Sequence, residues 1–112
     1  MKKILFLFVF LHTAAYAQKI SIQGRLLDDA GQGLPSATVM LLSPADSSLL
    51  NFSISDPNGN FLIKNAARTK YLLRVSFVGL ATLNKIVEPT TDDLLIDLGD
   101  LRMEQESKQL NE

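Results

Sequence analysis

The chain has 112 residues, of which twelve are acidic and eleven basic, with one histidine, no cysteine and a formal net charge of −1. The weakly acidic balance gives no electrostatic reason to expect a nucleic-acid partner. The absence of cysteine excludes thiol catalysis, thiolate zinc sites and iron–sulfur clusters, and the length suffices for one small domain.

The first seventeen residues have the pattern of a cleavable secretory signal peptide. Lys2 and Lys3 precede an apolar run at residues 4–11, and Ala15–Ala17 has the small-x-small form of a cleavage site. The apolar run is far shorter than the roughly 20 residues that cross a bilayer. We therefore expect export and a mature N-terminus at Gln18.

Removal of this segment changes the chemistry that is available. Nine basic and twelve acidic residues remain, a formal net charge of −3, and the only histidine, His12, is lost. Ser-His-Asp and Cys-His arrangements then cannot be built. A transition-metal site would depend on carboxylates alone, which is uncommon for zinc or copper.

The first two predicted strands follow in chain order. Residues 19–28 alternate with a period of two, and Ile20, Ile22 and Leu26 share one side. A loop rich in Asp, Gly and Pro follows. Residues 37–42 are apolar on both faces, which indicates a strand covered on both sides.

The third and fourth predicted strands flank the sequence DPNGN. In the third strand we expect Leu50, Phe52 and Ile54 to point inward and Asn51, Ser53 and Ser55 to point outward. In the fourth, Phe61 and Ile63 share a face. We expect the two strands to form a hairpin with these apolar pairs on one face.

Three further strands complete the pattern. Tyr71, Leu73, Val75 and Phe77 alternate in the fifth, the sixth runs up to Pro89, and the seventh places Leu94, Ile96 and Leu98 together. Seven short strands with turn signals every eight to twelve residues predict an all-β, antiparallel seven-stranded sandwich. The predicted domains are a signal peptide at 1–17, the sandwich at 18–103, and a polar tail or linker at 104–112.

The spacing of Asp56, Asn58 and Asn60 raises the alternative of a calcium loop. An EF-hand loop needs Gly at its sixth position and Glu at its twelfth, where this chain has Phe61 and Ala67. A tight turn fits better, because Pro57 fixes φ, Asn58–Gly59 tolerates positive φ, and Asp56 can accept bonds from its own backbone.

Two other groups of polar residues could form sites. Arg68 and Lys70 beside Tyr71 could bind an anion, but such residues more often begin an exposed strand. A glycosidase pair drawn from Asp92, Asp93 and Asp97 lacks an obvious pocket.

Gly24 and Gly79 stand alone within predicted strands, where a bulge or a close backbone approach is the ordinary explanation. Weighed together, these residues predict no catalytic, cofactor-binding or metal-binding residue, and no cofactor.

Three segments resemble the carboxypeptidase regulatory-like domain. SIQGRLLDDAGQGLPSATVMLL resembles its opening strand, turn and second strand, SDPNGNFLI its Asn-Gly hairpin, and YLLRVSFVGLAT a strand pair. The resemblance covers roughly residues 20–98. Two positions depart from the family pattern: Ser36 stands where the family usually has Gly, and Leu80 where it usually has Tyr.

The resemblance implies a transthyretin- or prealbumin-like sandwich without catalytic activity. Such domains commonly follow a signal peptide and form the N-terminal periplasmic extension of TonB-dependent receptors and related outer-membrane β-barrel proteins. The ending LGDLRMEQESKQLNE resembles the segment that leads to their plug. The resemblance therefore implies a periplasmic location at the outer membrane, with the plug, the barrel or an energy-coupling protein as partner.

Three functions stay open at this point. A structural or docking module of a receptor is the first, and a free-standing exported module that binds glycans or proteins is the second. A hydrolase is the third. The related hydroxyisourate hydrolase uses histidines, an arginine and a C-terminal Tyr-Arg-Gly-Ser, whereas this chain ends Gln-Leu-Asn-Glu, so that catalytic resemblance fails.

Overall fold

The computed structural model describes residues 18–90 and 92–106, so the predicted signal peptide lies outside the described part of the chain. Seven strands form there. They are β1 (Lys19–Leu27), β2 (Thr38–Leu42), β3 (Leu49–Ile54), β4 (Asn60–Ala67), β5 (Tyr71–Ser76), β6 (Leu83–Val87) and β7 (Leu95–Arg102). No helix that could cross a membrane is found among these residues.

The strands form two sheets that pack face to face as a sandwich, as predicted. One sheet has three strands in the order β4-β1-β7, and the other has four in the order β3-β2-β5-β6. Four of the strand pairs are antiparallel, but β1 and β7 are parallel. The parallel pair arises because β6 ends at the edge of the other sheet, and the chain crosses between sheets before it enters β7.

The core between the sheets comes from the predicted alternation. Ile20, Ile22 and Leu26 of β1 are buried, and so are the inward residues of β2, β4 and β5. The core cluster consists of Ile20, Ile22, Leu26, Leu34, Ala37, Val39, Leu41, Phe61, Ile63, Ala66, Tyr71, Leu73, Val75, Val87 and Met103. Phe77, Ile96 and Leu98 pack against it, whereas Leu94 is exposed.

Strand β3 faces the opposite way from the prediction. Leu50, Phe52 and Ile54 are each more than half exposed, whereas Ser55 is only 5% exposed. The hydroxyl of Ser55 accepts the Ala37 N–H at 2.8 Å and donates to the Leu34 carbonyl at 2.6 Å. Because neighbouring side chains alternate between faces, burial of Ser55 turns Phe52 and Ile54 outward.

The predicted hairpin between the third and fourth strands is also wrong. β3 pairs with β2 and β4 pairs with β1, so the turn between β3 and β4 joins the two sheets. Asn51 links the two strands. Its Oδ1 accepts the Phe52 N–H at 2.8 Å, and its Nδ2 donates to the Lys64 carbonyl at 3.2 Å.

The residues after β7 stay in contact with the sandwich. Met103 is 1% exposed, and the Glu104 carbonyl accepts the Ala81 N–H at 2.8 Å. Gln105 forms an isolated bridge with Leu80. Residues 104–106, where a polar tail was expected to begin, thus line the turn between β5 and β6.

Candidate functional site

The DPNGN segment is a tight turn, as predicted. Asp56 Oδ1 accepts the N–H groups of Asn58 and Asn60, both at 2.9 Å, and Gly59 has φ = 88°. The Asp56 carboxylate is therefore used to hold the turn. Within residues 18–90 and 92–106, no three His, Cys, Asp or Glu side chains form a group that could hold a metal ion.

The loop after β1 repeats the same turn with different residues. Asp28 Oδ1 accepts the N–H groups of Ala30 and Gln32, again at 2.9 Å, and Gly31 has φ = 85°. Both turns have the pattern Asp-x-x-Gly-x. Sequence inspection missed this repetition, although the spacing of Asp and Gly was its signal.

The two turns pack against each other at one end of the sandwich. Gly33 touches the Asn58 carbonyl, and Gly59 lies against the Leu26 carbonyl and the Leu34 nitrogen. A Cβ would lie 2.1 Å from a backbone oxygen at Gly33 and 2.4 Å from one at Gly59, so the backbone would have to shift. The close packing of the two turns therefore requires glycine at both positions.

The lone glycines have two different explanations. The β1–β7 register shifts between Gln23 and Arg25, so Gly24 lies at a bulge, which is one of the two explanations that the sequence suggested. A Cβ on Gly24 would also lie 2.8 Å from the Phe61 ring. Gly79 lies in the turn between β5 and β6 and has φ = 86° with open space around it. Its role is conformational, and it is not inside a strand as expected.

The anion-site alternative at Arg68, Lys70 and Tyr71 does not come together as one site. Tyr71 points into the core, and its hydroxyl donates to the Ala67 carbonyl at 2.7 Å. Arg68 reaches across to the Asp93 carbonyl, also at 2.7 Å. Lys70 is exposed between these elements.

Acidic residues line a groove that lies on the three-stranded sheet and extends to Ser53 and Ile54 of β3. Its volume is about 600 Å³. Polar lining residues include Gln23, Arg25, Asp56, Asp97 and Asp100. Asp97 Oδ1 accepts the Gly99 N–H at 2.9 Å, and the Arg25 guanidinium donates to the Asn58 carbonyl at 3.2 Å. Asp92 and Asp93, the other members of the suggested acid pair, lie outside this lining, in the connection before β7. Asp93 and Asp97 do share the lining of a second, smaller pocket of about 220 Å³.

The outer face of the four-stranded sheet carries a contiguous apolar surface. We call it the outer apolar face; it consists of Met40, Leu42, Leu49, Leu50, Phe52, Ile54, Leu72 and Ile86. The register places Leu49, Leu42, Leu72 and Ile86 in one row across all four strands. A register shift in the β2–β3 pair between Leu41 and Leu42 brings Leu49 to the same face as its neighbour Leu50. The next row along the strands begins with Phe52 and Met40.

The outer apolar face is large for a monomer. Phe52 is 57% exposed, and four further members, Leu49, Leu50, Ile54 and Ile86, are exposed by at least half. Five large side chains exposed to this extent amount to several hundred Å², which reaches the ~300–600 Å² of the largest patch on a typical monomer. Leu42 is a member of the outer apolar face that is itself buried, although it does not belong to the core cluster.

Charge on this sheet is sparse and of one sign. The four strands contain Arg74 and Lys85 and no acidic residue. Arg74 is half-buried on the outer face, where it is paired in register with Met40 on one side and Asn84 on the other. Its Nε donates to Asn84 Oδ1 at 2.8 Å.

The chain belongs to the carboxypeptidase regulatory-like domain family, whose model matches residues 21–99. This confirms the resemblance drawn from the sequence. The positive φ of Ser36, 63°, accounts for the glycine that the family usually has there. No curated protein has a sequence significantly similar to this chain.

Similar solved structures share the fold at low sequence identity. BcpA, the major pilin subunit of Bacillus cereus, superposes with a TM-score of 0.63 at 12% identity, over 80% of this chain and 31% of that one. Catechol 1,2-dioxygenase from Acinetobacter sp. ADP1 gives 0.58 at 12% identity, over 86% and 57%.

A mutant type II cohesin–X-dockerin complex from Acetivibrio cellulolyticus gives a TM-score of 0.57 at 16% identity, over 75% of this chain and 56% of that one. This chain therefore spans between about a third and somewhat more than half of these structures. At such identities the likeness establishes the fold alone.

Proposed function

We propose that the chain is a non-catalytic docking module and that it docks through the outer apolar face. The observation that carries this proposal is the exposure of Phe52, Ile54 and Ile86 on one continuous surface. A sheet packs its apolar faces against other layers, and the inner face here already packs against the second sheet. A further layer from a partner would cover the outer apolar face.

The shared fold does not by itself separate docking from catalysis, because both a pilin subunit and a catechol dioxygenase have it. The side chains support the non-catalytic alternative. The chain after residue 17 has neither histidine nor cysteine. The Asp56 carboxylate holds a turn, and the Asp97 carboxylate accepts the Gly99 N–H within β7.

We further propose that the module is exported and forms the N-terminal periplasmic extension of a TonB-dependent receptor-type outer-membrane protein. The support is the order of the chain, in which a signal-peptide pattern directly precedes a domain of this family. Within such a protein the partner of the module is the plug, the periplasmic rim of the barrel or an energy-coupling protein.

A full-length receptor that carries this domain provides the test. Deletion of the domain, or the pair Phe52→Glu and Ile86→Glu, should reduce substrate import or barrel assembly, because charged groups cannot be buried unpaired at the contact. Leu94→Glu is the matched control, since Leu94 is an exposed apolar residue that lies outside both the outer apolar face and the groove. Unchanged import and assembly in the deletion strain would remove the main support for the proposal.

The groove on the three-stranded sheet favours a second candidate, a free-standing exported module that binds glycans. Its polar lining of Gln23, Arg25 and Asp97 offers donors and acceptors of the kind that sugars use. Titration of the purified chain with a glycan panel tests this. If Asp97→Asn weakened glycan binding and the Phe52→Glu and Ile86→Glu pair left it intact, the groove would be favoured over the outer apolar face.

A further inference from the structure

We propose that the occupant of the outer apolar face is an amphipathic α-helix of a partner, with a carboxylate that pairs with Arg74. The inference rests on the proposed docking function and specifies its partner. Three features support it, namely the dimensions of the surface, its charge, and the hydrogen bonds that the β3 edge already makes.

The dimensions fit one helix. From β3 to β6 there are three strand spacings of about 4.8 Å, or roughly 14 Å, and along β3 the apolar residues from Leu50 to Ile54 span about 13 Å at ~3.3 Å per residue. A helix of about ten residues is ~15 Å long and ~10–12 Å wide. Its apolar stripe at positions i, i+3, i+4 and i+7 would cover Phe52, Met40 and Leu72.

The charge of the surface selects an acidic partner. Arg74 is half-buried within the outer face, and its Nε–Asn84 bond of 2.8 Å holds the guanidinium against the sheet. The two terminal nitrogens of a guanidinium form the planar fork that binds a carboxylate through two parallel bonds. A helix with one Asp or Glu beside its apolar stripe would provide that carboxylate.

A second copy of the chain is a poorer match on the same grounds. Two such sheets packed face to face would bury two Arg74 side chains at the contact, with no acidic residue on any of the eight strands. Like charges without counter-charges oppose association when they lose solvent.

Addition of a strand at the β3 edge is also disfavoured. An incoming strand needs free backbone groups, and the Phe52 N–H already donates to Asn51 Oδ1. Asn51 is itself held by the Lys64 carbonyl on β4. The face of β3 is therefore more accessible to a partner than its edge.

Selection from two displayed peptide libraries on the purified full chain tests the proposal. One library presents helices and the other presents extended segments, and both have the same apolar and charged composition. The bait carrying Phe52→Glu and Ile86→Glu serves for counter-selection, and Leu94→Glu is the surface control. Urea unfolding verifies that each bait is folded.

The expected result is enrichment of helices with an apolar stripe and a neighbouring Asp or Glu. They should bind the wild-type and Leu94→Glu chains alike, and their affinity for the counter-selection bait should be at least tenfold lower. Replacement of the peptide carboxylate by Lys should weaken binding about tenfold on the wild type, the range of one charged hydrogen bond. On Arg74→Glu the Lys peptide should bind better than the Glu peptide.

Four outcomes would overturn the proposal. Enrichment of extended segments on this face would retain the docking function and reject the helix. If light scattering showed a dimer, and Phe52→Glu and Ile86→Glu dissociated it, the face would be assigned to a second copy of the chain. Binding that is indifferent to the face substitutions, or no enrichment from either library, would reject the outer apolar face as the docking surface altogether.

Discussion

Replacement of Ser55 by Ala should destabilise the fold more than any other serine-to-alanine change in β3 or its flanks. Ser55 is the one buried polar residue of the described chain, and its hydroxyl serves two backbone groups at once. It accepts the N–H of Ala37, which is fully buried, and donates to the carbonyl of Leu34. The substitution removes both bonds without changing the backbone conformation.

The magnitude follows from the groups that are left without partners. A buried donor or acceptor deprived of its bond costs about 1–3 kcal/mol. Loss of the bond to the Ala37 N–H costs more free energy than loss of the bond to the Leu34 carbonyl, because a carbonyl oxygen keeps a second lone pair. We therefore expect a loss of about 3 kcal/mol, which is a large share of the ~5–15 kcal/mol that stabilises a small domain.

Urea unfolding followed by circular dichroism measures this loss. At an m-value of ~1–1.5 kcal/mol/M, a loss of about 3 kcal/mol lowers the urea midpoint by roughly 2–3 M. Ser53→Ala is the matched control, because Ser53 lies on the same face of β3 and the described residues show no hydrogen bond to its hydroxyl. If both variants unfolded at the same urea concentration, the role assigned to Ser55 would be wrong.

Three further predictions follow from the backbone and the core. Ser36→Gly should raise the free energy of unfolding by up to ~1 kcal/mol, because Ser36 has φ = 63°; a lower melting temperature would contradict this. Gly59→Ala should cost about 3 kcal/mol or more in urea unfolding, since its Cβ meets the Leu26 carbonyl at φ = 88°. The control Gly31→Ala, with φ = 85° and open space, should lose only the ~1 kcal/mol of conformational strain; equal losses would refute the collision. Burial raises the pKa of Tyr71. The contribution of its neutral hydroxyl to the free energy of unfolding is therefore fully present below the unfolded pKa of about 10, and it is lost as the pH rises through the folded pKa. Tyr71→Phe should flatten the alkaline limb of the stability profile, and an unchanged limb would be the opposing result.

Much of this protein could be read from its sequence. The period of two located all seven strands, and the Asp-Pro-Asn-Gly segment identified a turn held by its own carboxylate. The segments around Ser36, Asn58 and Gly79 indicated the family. These features depend on local chemistry, namely strand alternation, positive φ at glycine, and side chains that bond their own backbone.

Tertiary structure alone decided which side of β3 faces the core. Alternation assigns Leu50, Phe52 and Ile54 to one side and Asn51, Ser53 and Ser55 to the other, but it is equally satisfied if the strand is turned over. The choice comes from contacts distant in sequence, where the Ser55 hydroxyl bonds Ala37 and Leu34, and β3 pairs with β2 while β4 joins the other sheet. The same contacts expose the outer apolar face, so the surface proposed for docking could not be found from the sequence pattern.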